Sequence, residues 1–181
     1  MATVTGTFEL IGDPEIDLLE LVEHDSAWSH DYEAHRACLA AALGERAGRI
    51  EHIGSTAVPG LAAKPIVDVL VTVDDPDDDA AFLPYLQAAG YALRIVEPGH
   101  RMLRPDDRRA HVHLYRHDDP AVVALTTFRD HLRVNASDRA AYAEAKRVLI
   151  AEGWASMDDY AQAKSPIVAD ILARAGVALA R

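Results

Sequence analysis

Cysteine is nearly absent: Cys38 is the single thiol in 181 residues. One thiol excludes an internal disulfide and every metal site built on paired cysteines. Set among alanines of a helical stretch, Cys38 reads as a buried, inert side chain. Basic residues are also in short supply. Lys and Arg total 18 against 29 Asp and Glu, a formal charge of −11. Such a surface repels a polyanionic backbone, so no nucleic-acid polymer is expected as partner. A local pocket for a small phosphorylated ligand remains open, because net charge does not report on focused sites. Arg94, Arg101, Arg104, Arg108 and Arg109 could make such a patch, and a solvated arginine-rich loop is the favoured reading of the five. No apolar run approaches the ~20 residues of a spanning helix, and no basic segment followed by an apolar one opens the sequence. A reduced, soluble, cytoplasmic protein without a membrane partner is expected.

Hydrophobic residues make up 50% of the chain, enough for the core of one domain over 1–181. Leu18–Val22 reads as a short strand. Asp25-Ser26 supplies helix-capping chemistry, and Trp28, Tyr32, His35, Leu39 and Leu43 recur at helical spacing up to Gly44. Arg49–Ile53 and Pro65–Val73 read as strands, the second so rich in β-branched residues that it must be central. Asp74–Asp79 is a solvated acidic turn leading into a helix over Ala80–Ala89. Tyr91–Val96, His100–Leu103 and Ala110–Arg116 form a meander. Helices follow over about 119–134 and about 137–152 and in a last piece to Gly176, with Ser156 and Asp159 as a capping box. Pro166 predicts a fresh helix start.

Residues 51–73 carry the chemistry: Glu-His-Ile-Gly-Ser-Thr-Ala-Val-Pro-Gly-Leu-Ala-Ala-Lys-Pro-Ile-Val-Asp-Val-Leu-Val-Thr-Val. An apolar strand ends in Gly54-Ser55-Thr56, whose backbone N–H groups and hydroxyls suit a phosphate. Asp68 interrupts a run that is otherwise apolar. A carboxylate there is costly unless it meets a cation, a donor cluster or the open end of the sheet. The spacing matches neither a Walker A loop nor a dinucleotide fingerprint. His111 and His113, two residues apart on a strand, share one face. If their strand neighbours that of Asp68, the three form a His-His-carboxylate cluster beside the Gly-Ser turn. Three readings stay open for the histidines: metal ligands, contacts to a phosphate or polar substrate, and purely structural partners. Lys64, held extended before Pro65, and Arg101, on a neighbouring strand, are candidate phosphate ligands. His52 reads as a packed histidine, Glu51 as a secondary ligand, and Arg129 with Asp130 as a helix-surface ion pair.

The 51–73 segment resembles the signature of the GrpB family, uncharacterised proteins placed with the nucleotidyltransferase superfamily, a related region of which is appended to some dephospho-CoA kinases. The resemblance extends to Trp28 and its helix, to His111-Val112-His113, to Phe128-Arg129-Asp130-His131-Leu132-Arg133, and to Tyr142 with Lys146 and Tyr160 with Lys164. It implies an α/β fold of nucleotidyltransferase type, a mixed β-sheet flanked by helices with a helical C-terminal third. It also implies a nucleotide or phosphorylated small molecule as partner. Gly54, Ser55 and Thr56 would hold its phosphates, and Asp68, His111 and His113 a divalent metal (Mg or Mn, or Zn). Active members of that superfamily carry Asp-x-Asp, where this chain has Asp68 followed by Leu70. A transferase is therefore one expectation and a non-catalytic binding module on the same scaffold the other. A homodimer is compatible with both.

Overall fold

The computed structural model describes residues 9–12, 20–153 and 157–177. Its most deeply buried strand is β3, Val67–Val73, whose strict alternation sends Val67, Val69, Val71 and Val73 to one side of the sheet. On the same side stand Ala110, Val112 and Leu114 of β6 (Ala110–Arg116). Two helices cover that side: α1 (Ala27–Leu43) through Trp28, Leu39 and Leu43, and α2 (Asp79–Ala88) through Phe82 and Leu86. Each such side chain, fully buried, stabilises by roughly 1.5–3 kcal/mol before the entropy of ordering is subtracted.

The six-stranded sheet runs β1-β4-β5-β6-β3-β2, with β1 at Glu9–Leu10, β2 at Ile50–Ile53, β4 at Tyr91–Glu97 and β5 at His100–Pro105. It is mixed: β3 pairs antiparallel with β2 and parallel with β6, while β4, β5 and β6 form the expected meander. The other face is covered by the helical C-terminal third. There α3 (Pro120–Val134) brings Val122 and Leu125 onto Ile53, Leu70 and Tyr115. Helices α4 (Ala136–Glu152) and α5 (Met157–Arg174) join α3 around Leu61, Leu132, Tyr142 and Ile171. The mixed α/β architecture with a helical last third is the one expected.

Local chemistry explains the boundaries. Asp25 Oδ1, rather than Ser26, accepts from the Ala27 N–H at the start of α1. Asp119 accepts from Ala121 N with Pro120 at N1 of α3, and Asn135 accepts from Asp138 N at the start of α4. Arg129 is not a surface residue. It is 9% exposed and clamps α3 to β2 by donating to Glu51 Oε2 (2.8 Å), the His52 carbonyl (3.0 Å) and Asp130.

Other expectations need correction too. Cys38 is exposed, because it precedes Leu39 by one residue and so sits about 100° around α1 from the apolar stripe. Pro166 starts no helix. α5 runs through it, and both Pro166 and Gln162, whose carbonyl the ring displaces, lie on the exposed side where water can serve. Arg101 turns away from the proposed phosphate turn. It is 6% exposed on the opposite face from His113 and donates to Asp77, Asp79 and two backbone carbonyls. The acidic turn is thus held by Arg101 rather than merely solvated. Of the Leu18–Val22 strand, residues 18 and 19 lie outside the described residues, and Val22 makes a single bridge to Ala63. Ser156 of the capping box also lies outside them.

Candidate functional site

The β2–β3 hairpin builds the first wall of the site. Ile53 stands opposite Asp68, and the chain then turns through Gly54 at φ +69° into a short 3₁₀ turn, Ser55–Ala57. That conformation suits glycine, and so does the space: a Cβ on Gly54 would run into Asp68 Oδ2 and come within 2.9 Å of its Cγ. The Asp68 carboxylate therefore lies directly over the turn. Among the three turn residues only Ser55 offers its hydroxyl to the opening. Thr56, 2% exposed, is spent inside, donating to the Ile66 carbonyl and meeting His52 Nε2 at 3.0 Å. His52 stacks on Tyr32 with ring centroids 4.7 Å apart, and burial pushes its imidazole down to about 4. It is the packed histidine expected.

The second wall is β6. Parallel pairing sets His111 beside Asp68 and His113 beside Leu70, on one face, so the cluster anticipated from spacing forms. His111 Nδ1 lies 3.4 Å and His113 Nε2 3.8 Å from Asp68 Oδ1, and one ligand atom from each residue falls within 4.8 Å of the others. All three side chains are about a quarter exposed, so the cluster opens to solvent. Burial alone would push the Asp68 carboxyl up. The neighbouring imidazole side, with the nearer His111 foremost, more than offsets this and holds it well below the usual carboxylate range, so Asp68 is ionised at every physiological pH.

The third wall carries residues that sequence reading had quoted without a role. Lys146 of α4, 3% exposed, donates to Ser55 Oγ (3.1 Å) and to the Ala62 carbonyl, and its ammonium lies 4.7 Å over the Tyr142 ring. Lys164 of α5 lies 4.4 Å over Tyr160. Burial first, then the charges of Lys164 and Arg147, push Lys146 down to about 7. Lys164 is pushed down by its own burial and by Lys64, and drawn back up by Asp68, so these charges sense one another. The signal in the sequence was a repeated Tyr-x-x-x-Lys, at 142–146 and 160–164, which puts both members of each pair on one helix face.

Leu70 occupies the position two residues after Asp68 where a second acid would stand. It is fully buried, roofed by Val122 of α3. Glu51, the secondary candidate ligand, is instead engaged by Arg49 and Arg129, whose hydrogen bonds outweigh its burial and hold its carboxyl down. The donor set fits a divalent cation: one carboxylate oxygen and two imidazole nitrogens around a common gap, with open sides. Two nitrogen donors and a single acid suit a borderline metal such as Zn²⁺ better than Mg²⁺.

A family model described as GrpB protein matches residues 18–174. A UPF0157 protein of Streptomyces coelicolor is 48% identical over 172 residues, covering 95% of this chain and 92% of its own. The solved structure of the conserved protein GrpB from Enterococcus faecalis superposes with a TM-score of 0.74 at 29% identity, over 87% of this chain and 100% of that one. A dephospho-CoA kinase of Mycolicibacterium paratuberculosis is 34% identical over 123 residues, 66% of this chain and 28% of the kinase. The chain belongs to the GrpB family.

Proposed function

We propose that the protein binds a nucleotide or another phosphorylated small molecule in the cleft between the Gly54–Thr56 turn, β6 and helices α4 and α5. The reading goes on to transfer of a nucleotidyl or phosphoryl group from that ligand. The observation that carries it is the shared opening: Ser55 Oγ, the Lys146 ammonium, Asp68 and the two strand histidines converge where Gly54 leaves room for them. Ser55 and the backbone of the turn would hold terminal phosphate oxygens, with Lys146, Lys164 and Lys64 offsetting their charge. Asp68, His111 and His113 would hold a divalent cation, which when bound would neutralise phosphate oxygens and polarise the phosphorus. Tyr142 and Tyr160 pack against the two lysines, so both Nζ atoms are positioned before the ligand arrives. In that transfer the acceptor would be a hydroxyl or amine of a second substrate. No helix among the described residues is long and apolar enough to cross a membrane, and we keep the cytoplasm as the expected location.

A second reading has its own support. Leu70 lies under α3, so a second acid is excluded by packing, which favours a binding module without turnover. Calorimetry with nucleoside triphosphates in Mn²⁺, Zn²⁺ or Mg²⁺, followed by product analysis, separates the two. Binding and turnover, both lost in Asp68→Asn with the melting midpoint unchanged, support a transferase. Tight binding without product supports the module. A melting curve that no nucleotide or metal moves removes the nucleotide reading, since a ligand at a hundred times its Kd adds ~2.7 kcal/mol.

A further inference from the structure

Behind His113 lies a second imidazole that neither sequence motif nor the cluster itself includes. His100 of β5 is 8% exposed and stacked between two rings, 4.4 Å from that of Tyr115 and 5.3 Å from that of His113. Its Nδ1 lies 2.6 Å from Glu97 Oε2, and its Nε2 lies 3.1 Å from His113 Nδ1. Glu97, His100, His113 and Asp68 thus form one line of polar contacts ending at the cluster.

The line has a direction. A carboxylate only accepts, so the hydrogen of a neutral His100 sits on Nδ1 and its Nε2 becomes an acceptor. His113 must then donate from Nδ1, which leaves its Nε2 without a hydrogen. Across from that nitrogen stands Asp68 Oδ1, at 3.8 Å. This separation is too long for a hydrogen bond. It falls within the ~4.2 Å that two ligand atoms can span when each lies ~2.1 Å from one cation. Two acceptors face each other across an ion-sized gap.

We propose that Glu97 and His100 are positioning residues that hold His113 in its Nδ1–H tautomer, turning the Nε2 lone pair toward Asp68 to complete a site for a borderline divalent cation. The proposal rests on the metal reading above and adds to it the partner that fixes the ligand. An imidazole backed by a second imidazole and a carboxylate is also a more basic donor than one backed by water.

Long-range ¹H–¹⁵N spectra of the metal-free chain report the tautomer directly. Wild type should show His113 protonated at Nδ1 alone. Glu97→Ala and His100→Phe should each give a mixture of tautomers, the latter keeping the ring stack on Tyr115. Titration with Co²⁺, read by its visible absorption, should show affinity falling about 10–100-fold in both variants. Should His100→Phe fail to fold, Glu97→Ala carries the test, because Glu97 lies outside the core with 38% of its side chain exposed. The proposal is overturned by an Nε2–H tautomer in wild type, or by tautomer and Co²⁺ affinity unchanged in the variants. A wild-type chain with the Nδ1–H tautomer that takes up no Co²⁺ sinks the metal reading and the completed site with it. The spectrum tells that failure apart from a wrong tautomer.

Discussion

Asp68 and Leu70 leave the same face of the same strand two residues apart, yet one is partly exposed and the other lies under a helix. The Asp68 side chain is 29% exposed beside two imidazoles, whereas Leu70 is sealed with Ile53 and Val122. The position of α3 makes the difference. Arg129 anchors it over β2, and the roof it forms covers the sheet at Leu70 and stops short of Asp68. Charge at one position is held by partners that solvent and ligand can join. At the next it would be buried alone.

Leu70→Asp breaks the comparison most directly. It restores the Asp-x-Asp spacing but places a carboxylate against Val122 and Ile53, and stability should fall by about 4 kcal/mol or more. Urea unfolding of the variant measures this. A stable variant with stronger metal binding would show that the roof yields and that the missing acid is a matter of sequence alone.

The opposite face of β2, where His52 packs on Tyr32 of α1, gives a pH test. His52 is 7% exposed, and burial, with Arg133 and Arg129 nearby, depresses it from 6.5 to about 4. Between those values the unfolded chain binds the extra proton and the folded chain does not. Stability therefore falls as pH drops from 6.5 toward 4, by about 3 kcal/mol when the change is complete. His52→Gln removes that contribution, so its unfolding midpoints across pH 7 to 4 should follow a flatter curve than those of wild type. Parallel curves would mean that His52 is protonated inside the fold.

Two glycines sharpen the view of the open end. Gly54 and Gly60 both have positive φ, but a Cβ at Gly60 meets nothing within 4 Å while one at Gly54 meets Asp68. Each alanine variant should lose about 1 kcal/mol or slightly more to backbone strain. Only Gly54→Ala should also weaken metal and nucleotide binding, because the carboxylate must move. Equal binding losses in both variants would show that the turn acts through its backbone shape and not through its approach to Asp68.

The sequence made the open end partly legible because its parts are local. Period-two alternation assigned the faces of β3 and β6, and one apolar run with a single acid named Asp68 as the anomaly. Adjacency of the two strands could only be stated as a condition, since pairing partners are not written in either strand. The third wall was invisible in role, for Lys146 reaches Ser55 across 91 positions and only the tertiary fold joins them. Arg101 misled for a related reason. Its strand was right, but alternation places it opposite His100 and Met102, on the face where Asp77 and Asp79 wait. Cys38 misled because an alanine-rich helix gives composition without saying which side is covered.

The smallest effect, and the most specific to the open end, is a proton. Lys146 is nearly enclosed and titrates at about 7 instead of 10.5, so at pH 8.5 most of it is neutral. A phosphate bound at Ser55 brings negative charge within reach of Nζ and favours the ammonium. Binding of a nucleoside triphosphate at pH 8.5 should then take up close to one proton, because the ligand is itself fully ionised there. Calorimetric heats measured in buffers of different ionisation enthalpy should differ accordingly. At pH 5.5 the lysine is charged before and after binding, so its contribution should vanish. Lys146→Met should abolish the uptake at pH 8.5 while Lys164→Met leaves most of it. Heats that do not depend on the buffer in wild type would mean that the ligand does not approach Lys146. Phosphate would then be held by the β6 side of the cleft alone, and the wall built by α4 would be structural, like the roof over Leu70.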